Sequence, residues 1–197
     1  MLRKTLLVAL LAGCASAPTD SEIDARALEM MKSSFRESGH AKLDRLEQDE
    51  TQKLCSATLA KGDSSRIEKI NTATLRYPAD GKLMGDWREG EKIAQSGVGK
   101  QFSDDPKRPA GGNCYACHQL AKQEISYGTI GPSLHQFGKV RGASEAVQRY
   151  TYGKIYNSQA FTACSNMPRF GHNGILTPEQ LRHLVALLLD PASPVNQ

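Results

Sequence analysis

Apolar side chains recur at helical intervals through the first third of the chain, with polar residues filling the gaps. Over residues 21–76 these apolar positions are Leu28, Met31, Phe35, Leu43, Leu46, Leu54, Leu59, Ile67 and Ile70. Met30 and Met31 are expected to pack on an amphipathic helix. No segment shows the alternation typical of strands, so the pattern predicts an all-α fold.

The clearest predicted helix lies near the C-terminus. Thr177 is a typical N-cap, Pro178 suits the first helical position, and Gln180 completes a capping box. Asp190-Pro191 ends the helix. Between these signals one face is apolar, formed by Leu181, Leu184, Val185 and Leu188.

A turn-rich stretch from Arg76 to Gly81 divides the predicted helices into two regions. We place a domain boundary there, with a helical N-terminal extension over residues 18–76 and the main domain over residues 77–197. The main domain opens with a short helix predicted from about residue 86 to 95, which a loop rich in Gly, Asp and Pro follows.

The N-terminus has the layout of an export signal. A basic pair precedes an apolar run, Leu6 to Ala12, that is too short to span a bilayer. Residues 1–17 would form a removable signal peptide. Leu11-Ala12-Gly13-Cys14 also resembles a lipobox, in which residues 1–13 are removed and Cys14 carries lipid. Both alternatives predict a periplasmic protein, which would contact a membrane only through such a lipid.

The amino-acid composition and net charge exclude some other classes of protein. The chain has 197 residues, of which 39% are hydrophobic, enough to bury a core. The net charge is +4, and loss of Arg3 and Lys4 with the signal leaves about +2. This charge is too weak to predict a nucleic-acid partner.

One motif carries specific chemistry. In Cys114-Tyr115-Ala116-Cys117-His118, two thiols are spaced to bond the two vinyl groups of one haem, and the adjacent histidine can ligate its iron. A redox dithiol and half of a zinc site are the competing interpretations. The first needs a strand-to-helix setting and the second needs another cysteine pair, and neither is found. The motif predicts one covalently bound haem c.

The other axial ligand decides between electron transfer and ligand chemistry. Met167 is the candidate, because the following Pro168 favours an extended chain that can present sulfur to a flat ring. A packing role for Met167 is the alternative. Other possible ligands are the histidines, of which His172 is the strongest rival: His40, His135, His172 and His183.

Two further features surround these ligands. Gly131-Pro132-Ser133-Leu134 matches the place where class I cytochromes c supply a proline carbonyl to the imidazole Nδ1–H, and a simple turn is the alternative. Cys55 and Cys164 remain when the haem pair and Cys14 are set aside. In an oxidising periplasm they are expected to form a disulfide, with free buried thiols as the alternative.

Several segments of the main domain resemble the SoxX family, the mono-haem cytochrome c subunit of the SoxAX complex in bacterial thiosulfate oxidation. The resemblance is carried by Cys164 to Gly171, Ile175 to Thr177, Leu187 to Pro191 and Pro194 to Asn196. It covers about residues 77–197 and implies a class I cytochrome c-like haem domain.

The resemblance also implies partners. SoxA would join thiosulfate oxidatively to a cysteine of the SoxYZ carrier, and this chain would accept the electrons from the SoxA haem. A further cytochrome c would be the downstream acceptor. The chain would then be the electron-transfer subunit of an L-cysteine S-thiosulfotransferase, without an active site of its own. The alternatives are an independent electron-shuttle cytochrome and an autonomous haem enzyme or gas sensor.

Overall fold

The computed structural model describes residues 17–197. Cys14 and nearly all of the predicted signal lie outside the described residues. The chain divides into two compact units, one ending at Arg36 and the other running from Glu37 to Gln197. Seven α-helices form in the described part: α1 (Asp20–Ser34), α2 (Glu50–Ser56), α3 (Asp63–Thr72), α4 (Trp87–Gln95), α5 (Phe137–Arg141), α6 (Glu145–Tyr156) and α7 (Pro178–Leu189).

Helix α1 forms for local reasons. Thr19 and Glu22 make a capping box at its N-terminus, and acidic residues in the first turn complement the helix dipole. None of its residues is buried. The packing role expected for Met30 and Met31 is therefore wrong, because these side chains are 68% and 51% exposed.

The core of the second unit is built around the packing of α4 against α7. Asp86 caps α4, and the predicted capping box of Thr177 and Gln180 begins α7. Seven residues of α7 are buried, including all four of its predicted apolar positions. Gly90 permits the close approach of the two helices, since a Cβ at this position would lie 2.2 Å from the carbonyl oxygen of His183.

Helix α6 completes the core by packing on α7. Its Tyr152 is fully buried and lies between Tyr77 and Tyr156, with ring centroids 5.7 and 6.3 Å away. Residues 17–197 contain no strand, only an isolated bridge between Ser38 and Ala41. The predicted all-α fold is confirmed. No helix of this part of the chain has the length and apolar character to cross a membrane.

Residues 37–76 lie in the same compact unit as the core. Within this segment α3 packs against α2 and against a 3₁₀ turn at Ser158–Ala160, which belongs to the main domain. The boundary between residues 76 and 77 stays a prediction.

Replacement of Gly90 tests the helix packing. We expect Gly90→Ala to lower the free energy of unfolding by about 1–3 kcal/mol, because the added methyl overlaps backbone atoms of α7. Gly97→Ala is the matched control, since a Cβ there would have its nearest neighbour 3.8 Å away. Denaturant unfolding measures both. Equal stability of the two variants would show that the close approach is not required.

Candidate haem site

The cysteine motif sits on a short turn fastened to the end of α4. The amides of Gly112 and Asn113 donate to the carbonyls of Ile93 and Ser96, at 2.8 and 3.0 Å. Cys114–Ala116 then form a 3₁₀ turn. The His118 amide donates to the Cys114 carbonyl at 2.9 Å, so the thiols and the imidazole belong to one small hydrogen-bonded unit.

The chain after the motif folds back along it. Amides at positions 128, 131 and 134 donate to carbonyls at positions 115, 117 and 119, each at 2.8 Å. Gly128 and Gly131 allow this contact. A Cβ at Gly131 would lie 2.1 Å from Cε1 of His118, and a Cβ at Gly128 would lie 1.8 Å from the Ala116 carbonyl oxygen.

The His118 ring is oriented by the bond expected from the sequence. Its Nδ1 lies 2.7 Å from the carbonyl oxygen of Pro132. A carbonyl only accepts, so Nδ1 carries a proton, and in the neutral ring Nε2 then holds the lone pair. Neutral imidazole in this tautomer is the form that ligates haem iron through Nε2.

The two thiols of the motif are free and half-buried. Burial raises the pKa of the Cys114 thiol to about 12. A redox dithiol requires a lowered thiol pKa, and the raised pKa of Cys114 does not favour thiol–disulfide exchange at this thiol. Residues 17–197 contain no group of three or more His, Cys, Asp or Glu side chains placed to hold a metal ion.

Met167 lies in a segment without α-helix, residues 157–171, which we call the methionine loop. Its side chain is half-buried and packs against the same hydrophobic core as Cys114. The loop holds the Met167 backbone on both sides. Ser158 Oγ donates to the Met167 carbonyl at 2.6 Å, and the Met167 amide donates to Ser165 Oγ at 3.2 Å.

One of the rival histidines, His183, is engaged elsewhere. Nδ1 of His183 accepts from the Asp86 amide at 2.9 Å, where it supports the contact of α7 with the start of α4. His172 is partly buried beside Arg169. Burial, followed by the nearby guanidinium, lowers the pKa of His172, and the charge of Asp49 opposes this shift.

The structure joins Cys55 and Cys164 in a disulfide, which links α2 to the methionine loop. A bridge across 109 positions of sequence contributes about 4–5 kcal/mol by restricting the unfolded chain. This is the disulfide predicted from the number of cysteines in an exported protein.

Other residues around the loop have no comparable sequence signal. Asp49 meets Arg169 at 2.6 Å, and Asn157 Nδ2 donates to Asn71 Oδ1 at 2.9 Å. The sequence around each of these residues does not identify its partner, because the two partners are far apart in the chain and meet only in the tertiary fold.

The site fits covalently bound haem c, because it combines free thiols at haem spacing, an imidazole with Nε2 available and an adjoining apolar core. Such a site in a helical domain defines a haem-binding electron-transfer protein. The cytochrome c family model matches residues 90–190. The chain belongs to the cytochrome c family, and its cofactor is haem c. A protein of Aquifex aeolicus (strain VF5) named "Uncharacterized lipoprotein" is 40% identical over 157 residues, which cover 76% of this chain and 73% of that protein.

Removal of one thiol tests the attachment site. We expect Cys114→Ala to lose normal haem attachment through two thioethers, because no other cysteine is spaced to replace it. Haem staining of the denatured protein and the pyridine haemochrome spectrum measure the loss. Ala116→Ser, between the two cysteines, is the control and should carry one haem. Stoichiometric haem bound through both vinyls in Cys114→Ala would refute the assignment.

The pH dependence of stability tests the Asp49–Arg169 pair. Burial opposes ionisation of Asp49, but the Gln52 amide and the Arg169 guanidinium outweigh it, so the pKa of Asp49 lies below its ordinary value. A carboxyl group whose pKa is lower in the folded than in the unfolded protein stabilises the fold at pH values above its unfolded-state pKa. This contribution is lost as the pH falls through its folded-state pKa. The stability difference between wild type and Asp49→Asn should therefore be constant near neutrality and shrink below about pH 4. A difference that stays constant down to pH 2 would contradict the pairing.

Proposed function

We propose that Cys114 and Cys117 hold the haem, that His118 and Met167 are its axial ligands, and that the chain is the electron-transfer subunit of a periplasmic thiosulfate-oxidising complex. When bound, haem c supplies a one-electron carrier. The ligand assignment is supported by the free thiols, by the His118–Pro132 hydrogen bond and by the position of Met167 on the same core as Cys114.

Each residue has a distinct role in this site. The thioethers of Cys114 and Cys117 would prevent loss of the cofactor. The Pro132 carbonyl fixes the His118 ring and increases its basicity. The thioether of Met167 would favour ferrous iron, raise the reduction potential and leave no position open for an exogenous ligand. These properties suit electron transfer and oppose catalysis at the iron.

The observation that carries the finer proposal is the resemblance of the methionine loop and the C-terminal segment to SoxX. In such a complex, a SoxA-like subunit joins thiosulfate oxidatively to the cysteine of a SoxYZ-like carrier. This reaction releases two electrons. A chain with one haem accepts them one at a time, so a downstream cytochrome c must remove the first electron before the second arrives.

In the proposed complex this chain contributes to catalysis without forming a bond to the substrate. No residue is assigned as a nucleophile or a general base. It belongs to an L-cysteine S-thiosulfotransferase as its relay subunit, in a heterodimer with the SoxA-like cytochrome. A stable heterodimer keeps two haems close enough for efficient electron transfer.

Export is part of the proposal. The relative from Aquifex aeolicus is named as a lipoprotein, which supports lipidation at Cys14 over removal of residues 1–17. A lipid on the N-terminus would hold the complex at the membrane while the haem domain stays in the periplasm.

Deletion of the gene in its bacterial host tests the role in thiosulfate oxidation. We expect loss of thiosulfate-dependent respiration, and restoration by the wild-type gene but not by Cys114→Ala. Affinity purification of the tagged protein from thiosulfate-grown cells should recover a second haem-bearing chain in equal amount. Thiosulfate oxidation at the wild-type rate in the deletion strain, with no second copy of the gene, would contradict the assignment. A tagged protein recovered as a solitary monomer would favour an independent shuttle.

A further inference from the structure

The contacts of residues 49–74 converge on the methionine loop. This segment contains α2 and α3, and we call it the clamp segment. It reaches the loop before Met167, close to Met167 and after it. The main packing partners of α3 are α2 and the turn at Ser158–Ala160, and the packing of α4 on α7 involves neither clamp helix.

The first anchor is a buried polar network. Asn71 and Asn157 are almost fully buried, and Asn157 Nδ2 donates to Asn71 Oδ1 at 2.9 Å and to Thr74 Oγ1 at 3.0 Å. Asn71 Nδ2 in turn donates to Thr51 Oγ1 at 2.9 Å. The network fixes the start of the methionine loop next to Ser158, whose hydroxyl donates to the Met167 carbonyl.

The second anchor is covalent. The disulfide ties Cys164, three residues before Met167, to Cys55 of α2. The adjacent amide of Ala163 donates to the Glu68 carboxylate of α3 at 3.3 Å. Both clamp helices therefore hold the same short stretch of the loop.

The third anchor lies two residues after Met167. The Arg169 side chain is only 7% exposed and meets the Asp49 carboxylate at 2.6 Å. An arginine so deeply buried is costly to leave unpaired, so removal of the Asp49 carboxylate should destabilise the loop more than removal of one partner of an ordinary surface pair.

We propose that the clamp segment is a positioning device for the axial methionine: it holds the methionine loop at three points and so keeps the Met167 sulfur on the iron. Loss of an axial ligand requires its loop to move, and each anchor opposes that movement. The clamp thereby protects the sixth position from competing ligands. This inference rests on the proposed ligation by Met167.

Competition by imidazole measures the opening of the loop in the ferric holoprotein. Imidazole binds iron only when Met167 has left, so its apparent affinity rises with the fraction of open molecules. The near-infrared band of His/Met haem provides an independent spectroscopic readout of the same bond. Neither readout depends on thiosulfate or on a partner protein.

Two variants remove different anchors. In Cys55→Ser/Cys164→Ser the apparent imidazole affinity should rise about tenfold or more, because a covalent restraint is lost. In Asp49→Asn, which keeps a side chain able to cap α2, it should rise about fivefold. Asp80→Asn is the matched control. It removes the carboxylate from another 2.6 Å pair, in which Asp80 meets Arg182 of α7. Neither residue belongs to the clamp segment or the methionine loop, so the affinity should change less than about twofold.

The outcomes separate the clamp from the ligand assignment. Tighter imidazole binding in the clamp variants with an unchanged Asp80→Asn control supports the proposal. Equal effects of all three variants would show a general loss of stability and overturn it, as would unchanged affinity in the clamp variants. If the double cysteine variant does not fold, Asp49→Asn decides. Wild-type protein without the near-infrared band would overturn the ligation by Met167 and the clamp together.

Discussion

In the proposed site His118 and Met167, far apart in sequence, would both ligate one haem, and neither lies on an α-helix. A free loop would pay a large entropic cost to hold an iron ligand in place. Each segment is held instead by contacts with neighbouring parts of the fold. The His118 side is tied to the end of α4 and to the chain around Pro132, and the Met167 side is tied to α2, α3 and α6.

The two sides are fastened by different means. On the His118 side the contacts are mainly backbone hydrogen bonds, which demand glycine at positions 128 and 131 because the chains approach so closely. On the Met167 side the contacts made by the clamp segment are side-chain bonds and a disulfide, and this segment precedes the family-matched region. The clamp segment thus acquires a physical role in the proposed site, although it holds no ligand.

Much of this arrangement could be predicted because its determinants are local. The haem motif depends on residues within one turn, and α7 depends on a capping box and an apolar face. Helix α6 gives a weaker signal, since its buried positions include Thr151 and Gly153, which do not read as an apolar stripe. The Asn71–Asn157 and Asp49–Arg169 contacts join residues distant in sequence, and polar residues of these types are usually exposed. Only the tertiary fold identifies them as partners.

Ligation of one haem by both Met167 and His118 is the proposal on which the other roles depend. Proton NMR of the reduced holoprotein with labelled methionine methyl groups tests it most directly, because an axial methionine methyl lies against the haem face and its resonance is displaced far upfield by the ring current. We expect one such methyl resonance in the wild-type protein, and its absence from Met167→Leu while haem remains covalently attached. An upfield methyl that persists in Met167→Leu, or none in the wild-type protein, would contradict it.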